Sequence, residues 1–124
     1  MDIYARNILD HYQRPRHRGV LAEADASFQE LNRSCGDDFK VYLKLKDGLI
    51  EAISFEGQGC AISTAATSIL SEFFLGKAPS DILNMDLEAL RSLLGIEISF
   101  RRQKCALIGL RALQGAVTSL VPSA

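Results

Sequence analysis

Three cysteines and one aspartate are the residues of this sequence best suited to chemistry. Cys35 lies in "RSCGDD", Cys60 in "EGQGCAIS" and Cys105 in "RRQKCAL". An odd number of cysteines argues against a closed disulfide framework, and no C-x-x-C pair occurs, which excludes a thioredoxin-like redox motif or a zinc ribbon. The three thiols stand far apart along the chain, so only folding can join them. Cys60 sits where a glycine-rich turn gives way to small helix-forming residues, and Cys105 precedes a second helical stretch. A helix N-terminus carries unpaired N–H groups and roughly half a positive charge, which favours thiolate over thiol. Gly36 permits a tight turn, so that Asp37 can point the same way as Cys35. Three sulfurs and one carboxylate make an acceptable tetrahedral set for zinc, ferrous iron or an iron–sulfur cluster. The oxygen would be the weakest and most exchangeable ligand of the four. Against this, a single cysteine often packs as a small hydrophobe, and Asp37 could be a turn residue. Spacing alone leaves both readings open.

The elements that would position these groups follow from periodicity. Ile3, Tyr4, Ile8, Leu9 and Tyr12 recur at helical spacing over 2–13, with Asp2 as N-cap, and "RPRHRG" ends that helix. Phe39, Val41, Leu43 and Leu45 alternate with Lys40, Tyr42, Lys44 and Lys46, the pattern of a strand with one wet face. Asp47-Gly48 supplies the positive φ values of a hairpin turn. Residues 49–56 return as the partner strand and 27–33 add a third.

After Cys60, an apolar stripe from Ile62 to Phe74 marks a helix whose Ser63, Thr64, Thr67, Ser71 and Glu72 are expected to face elsewhere. Ser63, Thr64 and Thr67 could also tune thiolate basicity by hydrogen bonds or form a small-residue face against the sheet. Short helices are expected near 79–84 and 86–93, capped by Ser80 and Asp86, and a final helix over roughly 104–120. The order predicts an α+β fold, a three-stranded antiparallel sheet packed against helices with an N-terminal helix first. A chain of 124 residues with 48% hydrophobic and 23% charged content fits one domain, 1–124, able to bury a core without covalent staples. A net charge of −1 gives no field to recruit nucleic acid or an anionic membrane. No apolar stretch is long enough to span a bilayer, and the acid-bearing N-terminus does not read as a signal peptide. A cytoplasmic location is expected.

Read in order, "YARNILDHYQRPRHRG", "SCGDD", "GQGCAIST" and "KCALIGLRAL" resemble the scaffold family of iron–sulfur cluster assembly, the IscU/SufU/NifU N-terminal family. The resemblance covers nearly the whole chain. It implies Cys35, Asp37, Cys60 and Cys105 as ligands of zinc or a [2Fe–2S] cluster, with the three cysteines as candidate persulfide acceptors. It further implies sulfane sulfur supplied by a PLP-dependent cysteine desulfurase and passed, with iron, to a downstream carrier or apo-proteins. A scaffold or sulfur carrier is thus expected rather than a conventional enzyme, with a SufU-like sulfurtransferase activity left open.

The departures matter. IscU-type members carry a ligating His before the last cysteine, where this chain has Lys104, as SufU-type members do, yet the SufU insertion between the second and third cysteines is missing. "ISFRRQK" replaces the Leu-Pro-Pro-Val-Lys motif, so coupling to the dedicated IscU chaperone is not expected. Arg33 stands where many relatives have proline, and the cluster-carrying C-terminal domains of full NifU proteins have no counterpart. Arg101, Arg102 and Lys104 beside Cys105, with Arg111 further on, could offset the charge of the thiolates, dock an acidic partner or simply be solvated. Two other classes remain open. One is a zinc-stabilised interaction domain without sulfur transfer. The second is a Cys-dependent transferase or hydrolase, which needs His11 or His17 beside a cysteine.

Overall fold

The computed structural model describes residues 3–33 and 36–120. Its elements are α1 (Ile3–Gln13), β1 (Ala26–Asn32), β2 (Asp37–Lys46), β3 (Leu49–Gln58), α2 (Ala61–Phe73), α3 (Pro79–Asn84), α4 (Leu87–Leu94) and α5 (Gln103–Ser119). A single 3-10 turn at Phe100–Arg102 leads into α5. The strands form one antiparallel sheet in the order β1-β2-β3. The expected α+β architecture is therefore observed. Asp2, expected to cap α1, lies outside the described residues.

Strand alternation builds the core. Register pairs Val41 with Phe28 and Phe55, and Leu43 with Ala26 and Ile53, so one sheet face is apolar. Phe39, Val41, Leu43 and Phe55 are fully buried there. The β2–β3 hairpin turns at Asp47 and Gly48, whose φ values of 55° and 79° are those a tight primed turn demands. Helix α5 lies across β1 and β2, α2 packs beside α5 and against β3, and α1 covers α2. No helix among the described residues is long and apolar enough to cross a membrane.

Two expectations about the helices fail. Ser63, Thr64, Thr67 and Ser71 do not face away from the core, because α2 is covered by α1, α5 and the sheet at once. The cost of burying hydroxyls is met locally: Thr67 Oγ1 donates to the Ser63 carbonyl at 2.8 Å and Ser71 Oγ to the Ser68 carbonyl at 2.6 Å. Ser80 does not cap α3, since Ala78 holds the N-cap position and Asp81 Oδ2 reaches back to its N–H. Asp86 does cap α4, accepting from the Ala89 N–H at 2.8 Å.

Residues 14–19 fasten the N-terminal arm to the body. The Arg16 N–H donates to Ser68 Oγ at 2.8 Å, and the Gly19 N–H to the Phe55 carbonyl at 2.7 Å. His11 is buried with Nδ1 at 2.7 Å from Ser68 Oγ, and His17 Nδ1 lies 3.0 Å from Ser71 Oγ. Ser68 Oγ thus joins the Arg16 N–H and the His11 ring, whose Nε2 lies 3.5 Å from Glu72 Oε1. Burial and the charge of Arg16 hold the His11 pKa below its ordinary value, against opposing pulls from Glu72 and Asp10.

Candidate metal centre

Three elements end at one place. Asp37 is the first residue of β2, Cys60 is the N-cap of α2, and Cys105 lies in the first turn of α5. One ligand atom from each comes within 4.8 Å of the others. Asp37 and Cys105 are buried and Cys60 is half-buried. Cys105 is the third residue of α5, after the 3-10 turn. Cys35 lies outside the described residues.

The carboxylate is held by one oxygen. Asp37 Oδ1 accepts the Cys60 N–H at 3.1 Å and lies 3.0 Å from Ser63 Oγ. Oδ2 is buried with no hydrogen-bond partner among the described residues. A buried carboxylate oxygen with nothing to accept from is costly in isolation. Beside two thiols, it is a lone pair aimed where a cation would sit. Bonds of about 2.3 Å place sulfurs roughly 3.8 Å apart around a tetrahedral zinc. Closing a set spread over at most 4.8 Å to that size takes a contraction of about 1 Å. Two thiols and a carboxylate are also the donor types zinc and iron accept. The residues present fit such a group.

Ser63 ties the set together. Its N–H donates to Cys60 Sγ at 3.5 Å, and its hydroxyl reaches both Asp37 Oδ1 and the Cys60 carbonyl at 3.0 Å. Burial pushes the Cys60 thiol pKa up, as does the charge of Asp37. The hydrogen bonds from Ser63 and from the Cys105 thiol push it down and prevail, which leaves the Cys60 pKa below its ordinary value. The sequence offers Ser63 as a hydrogen-bonding neighbour of the thiolate, but its bond to Asp37 depends on where β2 begins.

Two glycines permit the close approach. A Cβ on Gly59 would fall 2.3 Å from Ser63 Oγ and 2.5 Å from Asp37 Oδ1. A Cβ on Gly109 would fall 2.2 Å from Thr67 Oγ1 and 3.1 Å from the Thr67 Cα, so Gly109 sets how near α5 comes to α2. Thr67 in turn bonds the Ser63 carbonyl, which connects the helix crossing to the ligand turn.

Histidine takes no part in the described set. Ser68 and Ser71, the partners of His11 and His17, follow Cys60 by eight and eleven residues, roughly 12 and 16 Å along a helix. Neither histidine stands beside a described cysteine, which removes the geometry a Cys–His nucleophile needs there. Arg101, Arg102, Lys104 and Arg111 are exposed.

The model of the NifU-like N-terminal domain family matches residues 3–121. The chain belongs to this family. Among relatives of the NifU-like N-terminal domain, the iron–sulfur cluster assembly scaffold protein IscU of Thermotoga maritima is 37% identical over 87 residues, covering 70% of this chain and 61% of that protein. The chain thus matches less than two thirds of that relative's length. The zinc-dependent sulfurtransferase SufU of Bacillus subtilis is 32% identical over 133 positions, covering 93% of this chain and 89% of that protein. Those positions outnumber the 124 residues here, so SufU carries residues without a counterpart. A crystal structure of a NifU-like N-terminal protein from Brucella abortus superposes with a TM-score of 0.81, covering 98% of this chain and 96% of that one. At 21% identity, that likeness speaks to the fold.

Proposed function

We propose that this chain, as one domain over 1–124, is an iron–sulfur cluster assembly factor that binds a metal centre through Cys35, Asp37, Cys60 and Cys105 and accepts sulfane sulfur there. The observation that carries the reading is the buried, unpartnered Asp37 Oδ2 beside the Cys60 and Cys105 thiols. Zinc is the favoured occupant over a [2Fe–2S] cluster. Lys104 brings a cation to the position before Cys105, and a protonated amine is not a ligand. The SufU relative, whose name states zinc dependence, supports the same choice.

The bound ion would keep its sulfur ligands deprotonated at neutral pH, which is the chemistry it supplies. This chain's own residues do the rest. Asp37, held through Oδ1 alone, is the ligand that can leave without disturbing the fold. An acceptor cysteine thiolate attacks the outer sulfur of the persulfide on a PLP-dependent cysteine desulfurase. A new S–S bond forms on the acceptor, the donor's S–S bond breaks, and the donor cysteine departs as thiolate. The exchange needs no outside oxidant or reductant. Of the two described thiols, Cys60 is the more exposed and Cys105 is buried. Sulfur then passes to a downstream iron–sulfur carrier or apo-protein.

The test is transfer of radiolabelled sulfur from a cysteine desulfurase charged with labelled cysteine. Label should appear on this chain in a form released by reductant, and be lost in at least one of Cys35→Ser, Cys60→Ser and Cys105→Ser. A chain that binds zinc yet never acquires label would instead be a zinc-stabilised interaction domain.

A further inference from the structure

A cavity of about 170 Å³ lies between the end of β1 and the first turns of α5. Glu30, Asn32 and Arg33 line it from the strand side, and Lys104, Ile108 and Arg111 from the helix. Positions 104, 108 and 111 share one helix face. Register places Glu30 opposite Phe39 and Asn32 opposite Asp37, so both belong to the sheet face that α5 covers. Of the described metal ligands, none of Asp37, Cys60 and Cys105 lines this cavity.

Its charges are unusual for a chain whose net charge is −1. Three cations share a small space with one carboxylate, and among the described residues none of the three pairs with an acid, Glu30 included. An independent feature points the same way. Asn32 Nδ2 is buried, and no acceptor meets it among the described residues. A buried amide donor without an acceptor is the mark of a missing negative or carbonyl-like partner. Guanidinium groups add a planar fork of donors matched to oxyanions. Drug-sized ligands fill pockets of roughly 300–1,000 Å³, so this cavity suits a group of a few heavy atoms and not a nucleotide.

We propose that the cavity is a binding site for a small oxyanion, held by the cations of Arg33, Lys104 and Arg111, with Asn32 in its wall. Phosphate and carboxylate share this chemistry. The site adjoins Cys105 through Lys104, and none of its described lining residues is a proposed metal ligand.

The test is a titration of the zinc-loaded full chain at fixed ionic strength, followed by the nitrogen and proton resonances of the Asn32 side-chain amide and Arg111 Nε–H. Inorganic phosphate is added in one arm and acetate in the other. A saturable shift in either arm is expected, and the arm that saturates at lower concentration names the class. Arg111→Gln should weaken that binding at least fivefold while zinc stoichiometry stays the same. Shifts that rise linearly in both arms, or a loss of less than fivefold in Arg111→Gln, overturn the proposal. Saturable binding in a chain that holds no zinc would sink the metal reading and leave the oxyanion site standing.

Discussion

Replacing Ser63 by alanine removes one oxygen and no volume of consequence, yet it should loosen the metal site. Ser63 is fully buried, so no water takes the place of its hydroxyl. Asp37 Oδ1 would keep the Cys60 N–H and lose the Ser63 hydroxyl. A hydrogen bond to a charged group contributes about 1.5–3 kcal/mol, which corresponds to roughly 10–150-fold in an equilibrium constant. Loss of a partner that orients a metal ligand typically costs about 10–100-fold in metal affinity. The two ranges agree, and a zinc affinity weaker by about 10–100-fold is the expected result. Competition against a chromophoric chelator measures it, with thermal unfolding of the metal-free protein as control. Because Ser63 is buried, some loss of stability is expected from any role. An affinity within twofold of the parent, with a lowered melting temperature, would show that Ser63 supports the fold only and refute the reasoning.

Asp37→Asn keeps an oxygen for the Cys60 N–H and Ser63 hydroxyl while turning the free Oδ2 into a donor. Zinc should be lost or exchange much faster with little change in the melting temperature of the metal-free chain, and unaltered zinc retention would remove Asp37 from the ligand set. Asp37→Ala, in a cluster-loaded chain, should slow release to an acceptor protein, read from the visible spectrum; unchanged transfer kinetics would count against a labile carboxylate. Gly109→Ala forces a methyl group against Thr67 and should destabilise by about 1–3 kcal/mol. At about 2.1 cal/mol/K of unfolding entropy per residue this is roughly 4–12 °C in melting temperature, and a loss below about 2 °C would mean the helices separate freely. The depressed His11 pKa means that the unfolded chain binds the proton more readily. Stability should therefore be full above the ordinary value of 6.5 and decline as pH falls below it. Calorimetry of parent and His11→Gln between pH 5 and 8 should show a shallower acid decline in the variant; parallel curves would acquit His11.

The sheet, its hairpin and the order of helices were legible because each rests on a local signal. Alternation at 39–46 and Asp47-Gly48 need no knowledge of distant residues. Burial of the α2 hydroxyls was legible only as one of two readings, since periodicity assigns a helix one apolar face and cannot tell that three elements will cover it. The Ser80 cap failed for a related reason: Asp81, the next residue, reaches back to the Ala78 N–H and starts the helix earlier. At the site, residue types announced Asp37, Cys60 and Cys105, and the structure brings them together. The division of Asp37 into a tethered oxygen and an unpartnered one emerges only when the start of β2 meets the start of α2. Gly59 is of the same kind, a requirement set by the approach of Asp37 and Ser63 rather than by its own turn.

Zinc K-edge X-ray absorption on the purified chain tests the metal centre most directly. The account predicts one zinc per chain with three sulfur scatterers at about 2.3 Å and one oxygen at about 2.0–2.2 Å. An ion surrounded chiefly by nitrogen or oxygen, or one whose sulfur shell survives replacement of both Cys60 and Cys105, would contradict it.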